Sequence, residues 1–214
     1  MAHSTVRGAE APSLVPELLA VLRTPARDYP ILISRARTRE VLFFPAVSGV
    51  YVAYVAAERL HLGDALGFGA TAVGVVLTGA GLGLLALAFT VYVLHWSARA
   101  ADAPATMDVL SGVFGYATWP FLPLLLVLVP LELWAYGASL FSSVRPVAPA
   151  FVPVLATVVE ASAIVAWLYL MLRGTAVETH VSNADATRTL VATLVRMAMI
   201  LVLFVLIAFA SFMI

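Results

Sequence analysis

Five long apolar runs, separated by short polar connections, dominate this chain of 214 residues. A membrane-crossing helix needs about 20 predominantly apolar residues. Four of the runs meet that length: 70–96, 110–131, 150–172 and 190–214. The fifth, VLFFPAVSGVYVAYVAA at 41–57, is short for a span but equally apolar. The pattern predicts an all-α polytopic membrane protein, a bundle of five transmembrane helices. Ahead of it lies a polar arm, residues 1–40. There, Leu14, Leu18 and Leu22 recur at helical spacing with Val15 and Leu19 beside them, predicting a short amphipathic helix that ends near Thr24-Pro25. A second piece runs on to Arg35, Arg37 and Arg39, which are placed to face lipid headgroups if the arm lies in the interface with its apolar side down. The plainer alternative is a flank that only fixes topology.

Arginine placement orients the bundle, because cytoplasmic flanks carry the excess of basic residues. The arm and the connections on its side hold Arg7, Arg23, Arg27, Arg35, Arg37, Arg39, Arg99, Arg173 and Arg188, whereas the opposite side holds Arg59 and Arg145. The arm is therefore expected in the cytoplasm and the C-terminus on the far side. No apolar stretch resembling a signal peptide is visible in the first forty residues. All 12 basic residues are arginine, and alanine and valine abound, as in GC-rich genomes; a prokaryotic cytoplasmic membrane is the expected location.

Charge and composition remove several function classes. Twelve basic residues balance twelve acidic ones, which leaves nucleic-acid binding without an electrostatic basis. There is no cysteine, and hence no disulfide, thiolate metal site or cysteine nucleophile. No nucleophile elbow or phosphate-binding loop occurs. His95 and His180 lie in different connections without a carboxylate cluster, so no metal or other cofactor is expected.

Inside the spans, charged residues are expensive and invite functional hypotheses. Glu160 sits near the middle of the fourth span, in ATVVEASAIVAW, and Arg196 about two turns into the fifth. At 1.5 Å of rise per residue their depths differ by about 9 Å, within reach only if the helices are adjacent. Two readings stand level: an ion pair, or an arginine directed to the headgroups with Glu160 hydrogen-bonded locally. Glu132, where the third span ends, reads as an interface residue, and Tyr92, Trp96, Trp134 and Tyr136 fit the aromatic belts. In the second span, Gly79 and Gly83 have the small-xxx-small spacing that lets a helix approach closely, either within the chain or from a second copy.

The third span, GVFGYATWPFLPLLLVLVP, is broken by Pro120 and Pro123, which free the carbonyls near Tyr116 and Trp119. Tyr116 is placed to hydrogen-bond near that break, and Gly112 and Gly115 leave room for a neighbour. The Gly115-Tyr116 pair followed by Pro120 resembles the Yip (Ypt/Rab-interacting protein) family of five-span membrane proteins. The arm LLAVLRTPARDYPIL, and the passage from the fourth to the fifth span with Arg173-Gly174, Ser182 and Ala186, are similar to its prokaryotic branch; the likeness covers about residues 18–214. It implies a five-helix bundle with a cytoplasmic N-terminus. Rab binding is not carried over, since the long N-terminal region and the motif before the first span are absent, leaving only Phe43-Phe44-Pro45.

The expectation is a non-enzymatic organiser of membrane lipids or proteins, with a homo-oligomer or another membrane protein as partner. The alternative is a small transporter, channel or lipid-moving protein that uses Glu160. An intramembrane enzyme drawing on His95, Asp108 and His180 is the remote third reading.

Overall fold

A computed structural model describes residues 14–101 and 105–212, with side chains as far as Leu203. Arg7 and the rest of 1–13, and the last two residues of the expected fifth span, lie outside the described residues. The elements are helices throughout: α1 (Leu14–Arg23), α2 (Pro25–Ser34), α3 (Thr38–Arg59), α4 (Leu62–Leu66), α5 (Phe68–Ala100), α6 (Met107–Ala117), α7 (Val129–Tyr136), α8 (Phe151–Glu178) and α9 (Asn183–Phe212). Short 3-10 and π segments join α6 to α7.

Among the described residues, five segments are long and apolar enough to cross a membrane: Thr38–Arg59, Phe68–Ala100, Met107–Ser139, Phe151–Glu178 and Asn183–Leu203. Their outer faces carry exposed Leu77, Leu82 and Leu85 on α5, Val158 and Val165 on α8, and Leu194 and Met199 on α9. Such a continuous apolar exterior would be untenable in water and suits lipid. The chain is an integral membrane protein by this architecture. The first span exceeds its expected length: α3 has 22 residues, because Arg39, Glu40, Glu58 and Arg59 extend the helix beyond the apolar run 41–57.

The tightest packing is between α3 and α5. A Cβ on Gly83 would stand 2.0 Å from the Pro45 carbonyl oxygen, and one on Gly49 would stand 2.2 Å from that of Gly79. One on Gly79 would fall 2.5 Å from the Val50 Cα. Backbone therefore lies on backbone, and the partner of the Gly79/Gly83 pair is α3 of the same chain.

The proline break of the third span is repaired mostly by its own backbone. Helix α6 is capped by Thr106, whose hydroxyl accepts from the Val109 N–H, and stops at Ala117. The Thr118 hydroxyl donates to the Gly115 carbonyl at 2.7 Å, and Trp119–Phe121 forms a 3-10 turn. The Leu122 N–H takes the Trp119 carbonyl that Pro123 would have left free. A π segment at Leu124–Leu128 follows before α7. Tyr116 does not serve the break, contrary to expectation. Its hydroxyl reaches α3 instead and donates to Glu40 Oε2 at 2.8 Å. Gly112 and Gly115 do admit neighbours: Cβ atoms there would meet Ile33 of α2 at 3.3 Å and the Val41 carbonyl oxygen of α3 at 2.8 Å.

The arm is docked on the bundle through its apolar face. Leu18 and Val21 of α1 and Tyr29 and Leu32 of α2 are buried in one core with Leu94, Leu110, Val113 and Leu170. Tyr29 is fully buried and donates to the Val113 carbonyl at 3.4 Å. Burial, with Glu178 nearby, holds its hydroxyl far above the ordinary tyrosine range, so it stays a donor. The stripe Leu14, Leu18, Leu22 and Leu32 joins the core built with α6 and α8, burying apolar surface, and Val15, Leu19 and Ile31 are the large apolar side chains of the described arm that stay exposed.

At the opposite end, α4 is fastened to the loop after α7. The Gly63 N–H donates to the Phe141 carbonyl at 2.8 Å, and Asp64 accepts from the Ser142 hydroxyl at 2.5 Å and the Ser143 N–H at 3.0 Å. These bonds hold the Asp64 carboxyl at about 2, below the usual carboxylate range. Because the folded value is depressed, this contact contributes at any pH above the ordinary aspartate value and is lost as pH falls through about 2. Amide exchange at Ser143 is thus expected to be insensitive to pH-linked opening from neutrality to about 4, and to be freed only in stronger acid or in Asp64→Asn. Release already at pH 5 to 6 would contradict the assignment.

Candidate functional site

Polar chemistry concentrates along one face of α3. Tyr51, Tyr54 and Glu58 follow one another at i, i+3 and i+7, a single stripe in the otherwise apolar stretch 49–58 of α3. The Tyr51 hydroxyl donates to Glu160 Oε1 of α8, and the Tyr54 hydroxyl to Glu132 Oε2 of α7. At the end of the stripe, Arg145 Nη1 donates to Glu58 Oε1 at 2.5 Å and Nη2 to the Glu58 carbonyl at 2.9 Å. The guanidinium also lies 5.6 Å from the Tyr136 ring centre. The result is a ladder descending from the far end into the bundle: an ion pair, then two tyrosine–carboxyl rungs.

Aromatic packing fixes the rungs. The Tyr51 and Tyr54 rings lie 6.0 Å apart, Tyr54 meets Phe141 at 5.7 Å, and Tyr51 meets Phe121 of the 3-10 turn at 6.2 Å. Phe121 in turn contacts Trp167 of α8, whose indole N–H is buried with no partner, as is that of Trp119. The proline break thus has a structural role here: it turns Phe121 toward Tyr51.

Of the two readings that stand level, the structure has Glu160 hydrogen-bonded locally and not paired with Arg196. Arg196 Nη1 donates to Ser97 Oγ at 2.6 Å and its guanidinium lies 4.5 Å over the Trp96 ring, while Glu160 is held by Tyr51. Ser97 is three residues from the end of α5 and Tyr51 is in the other half of the bundle, so the two charges are served at different levels. Glu132 is no interface residue, being only 7% exposed. The irregular π segment before α7 places it inward, which no local pattern reveals. The stripe Tyr51, Tyr54, Glu58 was the available signal, since polar residues at helical spacing on an apolar span mark an inward face.

A second polar concentration lies under the arm. Arg35 Nη1 donates to Glu17 Oε1 at 3.2 Å, and together with Arg37, Glu40, Tyr116, Leu14 and Leu32 they line a cavity of about 220 Å³. Arg39 is exposed beside it. Of the residues of the remote enzymatic reading, His95 Nδ1 is bonded to the Ala105 carbonyl at 2.9 Å, Asp108 lines a groove with Ile33 and Thr38, and His180 is exposed in a left-handed turn. Among the described residues, no group of three or more histidines and carboxylates is arranged to hold a metal ion. No protein-family model, curated protein or solved structure matches this chain.

Proposed function

We propose that this chain is a non-enzymatic, Yip-like membrane protein that organises lipids or membrane proteins from its arginine-rich end, with the arm in the cytoplasm of a prokaryotic cell. One observation carries this reading: the arm is built into the core of the bundle and presents Arg23, Arg27, Arg35, Arg37 and Arg39 exposed where the spans emerge. A flank that merely fixed topology would need neither the buried Tyr29 nor the cavity beneath it. Exposed arginines held rigidly at a membrane surface attract phosphate-bearing lipid and acidic protein segments. Native mass spectrometry of the protein released from its membrane tests the reading: retained lipid or a partner chain is expected, and a bare monomer with neither would refute it.

The tyrosine–carboxyl ladder favours a second reading, in which Glu132 and Glu160 exchange protons or accompany a small solute. Two carboxyl groups inside a span, each with a tyrosine donor, resemble the parts of a relay. Proton flux into liposomes that falls at least tenfold in Glu160→Gln would support it. Equal flux in the wild type, the variant and empty liposomes would remove it.

A further inference from the structure

The cavity under the arm has a composition that selects its ligand. Its ionic lining comprises two guanidinium groups, Arg35 and Arg37, and two carboxylates, Glu17 and Glu40. A pocket built for an anion would carry a cationic excess; this one is balanced. Balanced charge inside one small cavity favours a group that is itself zwitterionic, with one centre for the arginines and one for the glutamates.

Existing bonds leave capacity on both sides. Arg35 spends Nη1 on Glu17 at 3.2 Å, with its other side-chain donors uncommitted among the described residues. The Arg37 carbonyl accepts from the N–H groups of Glu40 and Val41, and its guanidinium makes no hydrogen bond or ion pair among the described residues, although it stands at the cavity wall. Glu40 accepts from the Tyr116 hydroxyl through Oε2 at 2.8 Å, leaving Oε1 uncommitted among the described residues. Guanidinium donors suit phosphate oxygens, and carboxylate oxygens suit a primary ammonium with N–H donors. A quaternary ammonium would instead need an open aromatic face. The one aromatic ring in the lining, Tyr116, is 1% exposed and packed against Phe44 with ring centres 6.0 Å apart, so it offers none.

Position narrows the source. Arg37 is the residue preceding α3 and Glu40 lies in its first turn, where the span leaves the membrane. Leu14 and Leu32 provide an apolar wall against which an acyl-glycerol stem can rest. We propose that this cavity binds a phosphoethanolamine group, carried by a membrane phospholipid, with Arg35 and Arg37 on the phosphate and Glu17 and Glu40 on the ammonium. The assignment rests on the organising role proposed above and names the lipid class that role would use.

The test is a lipid titration of the full chain in detergent, read by native mass spectrometry. The probes are phosphatidylethanolamine, phosphatidylcholine, phosphatidylglycerol and free glycerophosphoethanolamine. Phosphatidylethanolamine is expected to bind about tenfold more tightly than phosphatidylcholine, the difference expected from charge-assisted hydrogen bonds that the choline group cannot donate. Arg37→Gln, a change at an exposed side chain, is expected to weaken binding of phosphatidylethanolamine by a similar factor, whereas Arg99→Gln, at an exposed residue near the end of α5, leaves it unchanged. Glu40→Gln, which still accepts from Tyr116, is expected to abolish the preference for ethanolamine over choline while the phosphate contact survives. Equal binding of ethanolamine and choline lipids by the wild type, or equal losses in Arg37→Gln and Arg99→Gln, would overturn the cavity assignment while leaving a general lipid-organising role intact. Tighter binding of free glycerophosphoethanolamine than of the lipid would overturn the lipid source. Absence of every lipid would sink the lipid-organising role as well.

Discussion

Gly83→Ala is expected to break the association of α3 with α5. The added methyl would stand 2.0 Å from the Pro45 carbonyl oxygen and 3.1 Å from the Ala46 Cα, all backbone that cannot rotate away. The two helices must then separate, losing contacts along their whole shared length. Overpacking of this kind costs about 3 kcal/mol or more, the largest single-methyl effect anticipated in this chain. Helix α5 supplies its own control. Gly81 is in the same helix with open space where its Cβ would go, so Gly81→Ala removes a helical glycine without a clash. That change is expected to be neutral or stabilising by up to about 1 kcal/mol. Thermal unfolding in detergent, followed by aggregation onset, reads both. Equal midpoints for the two variants would contradict the backbone-on-backbone packing.

The second large effect belongs to Arg145. It is paired with Glu58 where both side chains are 22% exposed, and it also binds the Glu58 carbonyl near the end of α3. Removing the cation leaves a largely buried carboxylate without its counter-charge beside Glu132 and Tyr54. Breaking such a pair from one side costs more than the pair itself contributes. Arg145→Ala is expected to cost about 2 kcal/mol, discounted from the fully buried case because of the residual exposure. Adding Glu58→Gln should restore part of that loss, since the orphaned charge is then gone. A double variant as unstable as the sum of the single ones would show that the two side chains act independently.

Much of the architecture is legible in the amino-acid order, for a physical reason. Lipid demands long uninterrupted apolar helices, so hydropathy alone locates all five spans and the break of the third at Pro120 and Pro123. What it leaves open is pairing. Gly79 and Gly83 announce a close approach, but only the fold names Gly49 and Pro45 as the surfaces that receive them. Glu132 is misread because local hydropathy places it at a span's end, whereas the π segment before α7 turns it inward to Tyr54. Arg196 is drawn toward Glu160 on paper because both are charged residues in lipid, yet the folded chain offers it Ser97 and Trp96 first. The arm illustrates the same point. Its leucine stripe shows that it must lie on something apolar, and only the tertiary structure chooses α6 and α8 over the membrane surface.

The docked arm is the claim from which the rest follows, and amide hydrogen exchange in lipid nanodiscs addresses it most directly. An arm packed through Leu18, Val21, Tyr29 and Leu32 should keep its protection from the described start at Leu14 through Ser34 whether the surrounding lipid is neutral or anionic. Protection that appears only with anionic lipid, and vanishes in neutral nanodiscs, would mean that the arm lies on the membrane surface and that the cavity beneath it does not exist.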